Sequence, residues 1–153
     1  MVKFVKSNSA IIEQIAADMR PSDVRELWAA HRHTPTESLT QAMLSSDYHS
    51  IVIVEGEPVA ALGLRVSSYL SGEGVPWFLS TNAALKHKRE FLINGRSVVL
   101  SMLDITPHLV NYVHAENKLS IRWLKWLGFT VDDPVESPLS KELFHKFHRT
   151  KVH

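Results

Sequence analysis

Apolar positions in the first third of the chain recur at helical spacing, then give way to the denser pattern of buried strands. Val2 to Lys6 alternates weakly and predicts a first strand, with Ser7 and Ser9 placed to cap a helix over Ala10 to Met19. In Pro21 to Trp28, Ser22 or Asp23 can cap, while Val24, Leu27 and Trp28 share one helical face. Thr36 to Leu44 predicts a third helix, with Pro35 near its start. The β-branched run Ser50 to Val54 is interrupted by Glu55-Gly56-Glu57-Pro58 and resumes as Val59 to Val66, which predicts a hairpin of two largely buried strands. Gly72-Glu73-Gly74 marks a second turn, ahead of a short aromatic strand from Val75 to Ser80.

From Lys86 to about Leu103 the pattern is helical, with Phe91, Val98, Val99 and Met102 inward; Gly95 costs this helix about 1 kcal/mol relative to Ala. Pro107 ends it, and Leu109 to Val113 predicts a strand. Asn117 to Leu127 predicts a helix stopped at Gly128, and Val131 to Glu136 pairs with Leu143 to His148 across Ser137-Pro138-Leu139-Ser140. The order is strand, helices, three strands, helix, strand, helix, two strands, an α/β chain without repeat, low-complexity tract or linker.

The 153 residues, 44% of them hydrophobic, suffice for one sizeable core, so a single domain over 1–153 is expected. Seventeen Lys and Arg against sixteen Asp and Glu leave a formal charge of +1, which argues against nucleic acid and acidic membranes as partners. With no cysteine, disulfides, thiolate metal sites and a catalytic Cys are excluded. The N-terminal stretch meets polar residues too soon for a secretory signal, and nothing approaches the roughly 18 apolar residues of a membrane span. The expectation is a soluble protein made inside the cell.

The segment Val113 to Phe129 carries a family resemblance. A strand, Asn117, the small Ser120 three positions on, and Gly128-Phe129 closing the helix resemble the GNAT acetyltransferase superfamily, as does the element order. That resemblance implies a mixed, central, splayed β-sheet of about six to seven strands flanked by helices, a cleft between the fourth and fifth strands, and acetyl-CoA as cofactor. More narrowly, Pro76-Trp77-Phe78-Leu79-Ser80-Thr81, the basic run Lys86-His87-Lys88-Arg89, and Asn117 to Gly128 resemble an internal virion protein family of tailed podophages, some of whose relatives are acetyltransferases. The implied setting is the host bacterial cytoplasm or the virion. The implied partners are a host protein, a virion protein or a second copy. Two function classes follow: an N-acyltransferase acting on an amine, or a non-enzymatic interaction protein whose cleft is filled.

The resemblance also implies site residues. The turn after the fourth strand, Thr81, Asn82, Lys86, His87, Lys88 and Arg89, stands where the family binds pyrophosphate; Asn117 and Ser120 stand where the second helix meets the cofactor, and the edge of the fifth strand is expected to hold the pantetheine arm. The family's phosphate loop carries glycines, and none occurs between Asn82 and Arg89, so cationic charge must replace close backbone approach. A solvated basic surface is the alternative reading of that run. The Tyr that many relatives place four residues before the closing Gly is Leu124 here, leaving Tyr112 as a substitute proton donor. His114 and Glu116 alternate at the end of the fifth strand and are candidates for the base, ahead of Glu73. The pairs His31/His33 and His145/His148 lack further ligands, so no metal is expected. Lys118, Arg122 and Lys125 form a solvated stripe, and Trp123, Trp126 and Phe129 supply apolar area for core and interface.

Overall fold

The computed structural model describes residues 1–152. In chain order the elements are β1 (Val2–Val5), α1 (Ser9–Ala17), α2 (Pro21–His31), α3 (Pro35–Ser45), β2 (Tyr48–Val54), β3 (Glu57–Ser68), β4 (Glu73–Ser80), a 3-10 helix (Asn82–His87), α4 (Lys88–Ile105), β5 (His108–His114), α5 (Lys118–Trp126), β6 (Thr130–Glu136) and β7 (Leu143–Thr150). The strands form one mixed sheet in the order β1-β2-β3-β4-β5-β7-β6.

Local chemistry sets the helix starts. Neither Ser7 nor Ser9 caps α1; Asn8 does, its Oδ1 accepting the Ile11 N–H at 2.9 Å. Pro21 opens α2, which puts Ser22 and Asp23 inside the first turn rather than at a cap. Thr34 and Glu37 satisfy each other's N–H groups at the start of α3 in a capping box. Gly128 takes a φ of +91° after α5, a conformation that favours glycine, and the Arg149 Nη1 donates to the Leu127 carbonyl at 2.6 Å.

Alternation through the sheet divides the core between its two faces. Ile51, Ala61 and Leu79 lie side by side in register and pack with Ile15, Met19, Leu27, Leu39 and Met43 of the α1–α3 layer. The opposite face buries Leu64, Leu109, Val113 and Phe147 against Val99, Met102 and Leu103 of α4 and against Leu127. Gly63 has a steric purpose on β3: a Cβ there would lie 2.6 Å from the Trp77 indole, whose Nε1 donates to Ser46 Oγ at 2.7 Å.

One irregularity organises everything that follows. β4 and β5 run parallel but pair only at Glu73–His108 and Gly74–Leu109, after which they diverge. Pro76 falls just beyond the last pair, where a residue without an N–H costs no ladder hydrogen bond.

The packing of Gly63 gives a stability test. Gly63→Ala should cost about 1–3 kcal/mol through overpacking, read as a drop of several degrees in the unfolding midpoint. An unchanged midpoint would show that the Trp77 ring is free to move off β3.

Candidate functional site

The diverging strands open a cleft of about 640 Å³. Its walls include Val75 to Leu79 of β4, Asn111 to Val113 of β5, the α2 residues Asp23, Glu26, Leu27 and Ala30, and the β6–β7 segment Val135 to Pro138. Ser120, Trp123 and Leu124 of α5 close it from the far side of the sheet.

Strand geometry decides which backbone groups face this cleft. Thr81 donates its N–H to Val59 of β3 at 2.9 Å, so the alternate residues Ser80, Phe78 and Pro76 turn their main-chain groups toward the splay. At Ser80 these groups are occupied: the N–H donates to Asp23 Oδ2 at 3.1 Å and the carbonyl accepts the Arg20 N–H at 3.0 Å. The segment Asp18 to Arg20 continues as a strap along this edge, with Met19 bridging Thr81 and the Asn82 N–H reaching the Asp18 carbonyl at 3.0 Å. The Pro76 carbonyl accepts from Asn111 Nδ2 at 2.7 Å across the splay. Among the described residues, the peptide N–H and C=O of Phe78 alone remain without a partner on this edge. On the β5 edge, expected to hold a cofactor arm, the N–H donors beyond the ladder are taken: the Tyr112 N–H donates to Asn111 Oδ1 at 2.8 Å and the His114 N–H to Glu26 Oε1 at 2.7 Å.

A polar network seals the deep end. Asp23 Oδ1 accepts from Asn117 Nδ2 at 3.1 Å and lies 3.5 Å from Arg20 Nη1; Arg20 also donates to Ser120 Oγ at 3.3 Å and to Asn117 Oδ1 at 3.1 Å. Burial raises the Asp23 carboxyl despite the opposing Arg20 charge and the donors from Ser80 and Asn117. Glu26 Oε1 accepts from the His114 N–H and from Asn117 Nδ2 at 3.3 Å. No hydrogen bond reaches its Oε2 among the described residues, and Glu26 lies in the cleft wall. Burial pushes the Glu26 carboxyl up to about 7, helped by the Asp23 charge and opposed by the His114 N–H, Asn117 and Arg20.

Asn117, expected to cap α5 or meet a cofactor, is 1% exposed and spends its side chain on this network instead of a cap bond, because Arg20, Asp23 and Glu26 need its donor and acceptor. His114 is 2% exposed, and both ring nitrogens are engaged. Its Nδ1 accepts the Glu116 N–H at 3.2 Å, which assigns the ring proton to Nε2 and makes that atom the donor to Glu142 Oε1 at 2.8 Å. The hydrogen bond from His114 holds the Glu142 carboxyl below its usual range. Glu116 is exposed, whereas Tyr112 is half exposed on the cleft wall. Thr81 is buried with its hydroxyl on the Val59 carbonyl at 3.2 Å, and Asn82 Nδ2 donates to the Asp18 carbonyl at 3.4 Å. Lys86, Lys88 and Arg89 are exposed at the start of α4, and among the described residues none forms an ion pair; His87 is partly buried.

On the α4 side the rings of Phe78 and Trp123 sit 4.7 Å apart, and those of Phe78 and Phe91 5.6 Å. Trp123 Nε1 is buried with no hydrogen-bond partner. Trp126 takes the other role open to the α5 tryptophans: it is 43% exposed beneath the Arg96 guanidinium, 3.7 Å from its ring centre. His145 and His148 both bind Asp132, through its carbonyl at 2.8 Å and its Oδ1 at 3.0 Å, and among the described residues no three His, Asp or Glu converge as a metal group. No helix of the described residues is long and apolar enough to cross a membrane.

Sequence reasoning passed over Glu26 and Arg20. The signal for Glu26 lay in the spacing of Asp23, Glu26, Leu27 and Ala30, which puts two carboxyls on the inward stripe of α2.

No protein-family model and no curated protein matches the chain. Its structure is similar to that of the aminoglycoside acetyltransferase AAC(6')-Ib in complex with ribostamycin and coenzyme A, with a TM-score of 0.70 and 16% identity over 98% of this chain and 93% of that one. It is similar also to Ard1 from Thermoplasma volcanium, with a TM-score of 0.67 and 13% identity over 99% of both chains. A Bacillus subtilis acetyltransferase in complex with CoA matches with a TM-score of 0.66 and 5% identity over 99% of this chain and 98% of that one. At these identities the likeness speaks for the fold, and the fold is the GNAT fold.

The raised Glu26 carboxyl gives a pH test. Its folded value of about 7 lies above the ordinary 4.5, so the folded state holds the proton more tightly. Glu26 therefore contributes stability that is fully present below pH 4.5 and is lost as pH rises through 7, on the order of 3 kcal/mol in all. Urea unfolding of Glu26→Gln against the parent at pH 5 and pH 8 should show the variant gaining relative stability at the higher pH. Parallel behaviour of the two proteins would remove the raised pKa.

Proposed function

We propose that the chain is a single-domain GNAT-like N-acyltransferase that passes the acetyl group of acetyl-CoA to an amine. The observation carrying this reading is the unpaired Phe78 peptide unit in a splay that opens on a cleft of about 640 Å³. An isolated strand edge beside a cavity is a place where an amide-bearing ligand adds as a strand would.

The residues fit such a ligand on three observations. Phe78 offers one peptide donor and one acceptor, and Trp123 Nε1 is a buried donor lacking an acceptor, next to the Phe78 ring. Ser120 is small where α5 meets the cleft. Lys86, Lys88 and Arg89 place unpaired cations at the N-terminal end of α4, where the helix dipole adds to their repulsion and an anion would relieve it. Phe78, Trp123 and Ser120 would hold the arm of acetyl-CoA and the cationic run its phosphates, and the cofactor when bound would supply an acyl carbon activated as a thioester. Because the stretch from Asn82 to Arg89 contains no glycine and Ala83 and Ala84 are buried, the phosphates would be held by side-chain charge rather than by backbone amides.

The resemblance of Pro76 to Thr81, Lys86 to Arg89 and Asn117 to Gly128 to podophage internal virion proteins supports a phage origin, with a bacterial host protein as acceptor and the host cytoplasm as the setting. One observation favours the second reading, a non-enzymatic virion or host-interaction protein. The Asp18 to Arg20 strap takes the Ser80 carbonyl and the Asn82 N–H at the end of β4, and the Phe78, Phe91 and Trp123 rings pack on one another beside it.

Calorimetric titration with acetyl-CoA separates the two. The acyltransferase reading expects saturable binding that weakens with added salt. It also expects a roughly tenfold loss when Lys86, Lys88 and Arg89 are replaced together by Ala, from about 0.3–1 kcal/mol per charge near a helix end. No heat at millimolar acetyl-CoA would leave the interaction reading, and binding indifferent to the triple change would remove the cationic run from the site.

A further inference from the structure

The near-neutral total conceals a segregation of charge. Residues 82–129 hold seven Lys and Arg against three Asp and Glu, whereas the rest of the chain holds ten against thirteen. Four of the seven, Arg96 of α4 and Lys118, Arg122 and Lys125 of α5, stand apart from the cationic run that heads α4. All four are exposed, and among the described residues no carboxyl pairs with any of them. Lys118, Arg122 and Lys125 recur at i, i+4 and i+7, which sets them in one row along the outer side of α5.

α4 lies beside that row and runs in the same direction, since Phe91 meets Trp123 and, further along both helices, Arg96 meets Trp126. The outer ridge of α4 is apolar. Ile93 is 62% exposed and Leu100, seven residues on, 53%, with Leu92 also exposed. Arg96 lies over the Trp126 ring and donates its Nε–H to the Trp126 carbonyl at 3.1 Å, joining the ridge and the row into one surface. None of these residues lines the cleft, so the surface is separate from the acyl-transfer site.

We infer that this α4–α5 face docks an acidic amphipathic helix of another protein. Its aliphatic side chains cover Ile93 and Leu100, whose spacing matches a heptad, and its carboxylates meet Arg96, Lys118, Arg122 and Lys125. Cations beside an exposed apolar ridge select such a partner by charge and by shape together. A nucleic acid fits this face less well. It has no aliphatic groups to cover the ridge, and the Trp126 ring already carries a guanidinium instead of lying open to a base. The inference holds whether or not the cleft transfers an acyl group.

The test follows the anisotropy of a labelled helical peptide of about three heptads, Leu on one face and Glu on both sides of it, added to the whole chain. Binding should be saturable and weaken about tenfold between low and physiological salt. Replacing Lys118, Arg122 and Lys125 together by Gln should cost about tenfold in affinity, and Ile93→Ser with Leu100→Ser a similar factor. The salt dependence of the parent, and the response to a peptide with Ser in place of Leu, keep the test decisive should a variant fail to fold. Absence of saturable binding, equal affinity for the Ser peptide, or an equal loss when Lys86, Lys88 and Arg89 are changed to Ala instead would overturn the assignment. So would tighter binding of a single-stranded oligonucleotide or of anionic phospholipid vesicles.

Discussion

The two halves of the sheet are joined by main-chain pairing at only two positions of β4 and β5, and the rest of the site follows from that constraint. Peptide groups beyond Gly74 and Leu109 lose their natural partners and cannot remain buried unpaired. Side chains replace the missing ladder. Asn111 reaches across to the Pro76 carbonyl, Asp23 takes the Ser80 N–H, and Glu26 takes the His114 N–H on the opposite strand. The acids are therefore where they are because a diverging pair of strands leaves donors to satisfy.

Satisfying donors with carboxyls has an electrostatic consequence. Arg20 is the cation of the network, and it serves Asp23, Ser120 and Asn117. Burial disfavours the charged form of both acids, and at Glu26 the Asp23 charge adds to it while the Arg20 charge opposes it only weakly. Glu26 accordingly titrates near neutrality. Such a network is weak evidence for stability, since well-packed apolar residues would commonly hold the strands as well.

Much of the fold was legible in the chain. The α/β class, the strand and helix order and the terminal hairpin follow from apolar spacing and turn residues, and the seven-stranded sheet falls within the six to seven expected. Caps were read less well, because Asn8 stands between two serines equally able to cap, and because Asp23 and Asn117, both good cap residues, are drawn into a tertiary network that spacing cannot reveal. The candidate site was legible only in part. His114 was placed near the splay by its strand, but its ring partners, Glu116 N–H and Glu142, come from a turn and from the loop ahead of β7. Glu26 and Arg20 meet β5 and α5 across about 90 residues of sequence, a juxtaposition visible only after folding. Pro76 was the local clue that went unused, since a proline inside an aromatic strand announces an edge with no ladder to donate to.

The splay also sorts chemistry between the faces of the sheet. The α1–α3 side presents Asp23 and Glu26 to a wide cleft, while the α4 side presents aromatic rings and, at the start of α4, unpaired cations. Opposite charges thus stand on opposite sides of one opening in the sheet. The peptide unit of Phe78 is the common boundary: its backbone faces the splay and its ring packs on Trp123. The acids and the cations therefore lie on separate faces of one sheet, with the Phe78 peptide unit between them.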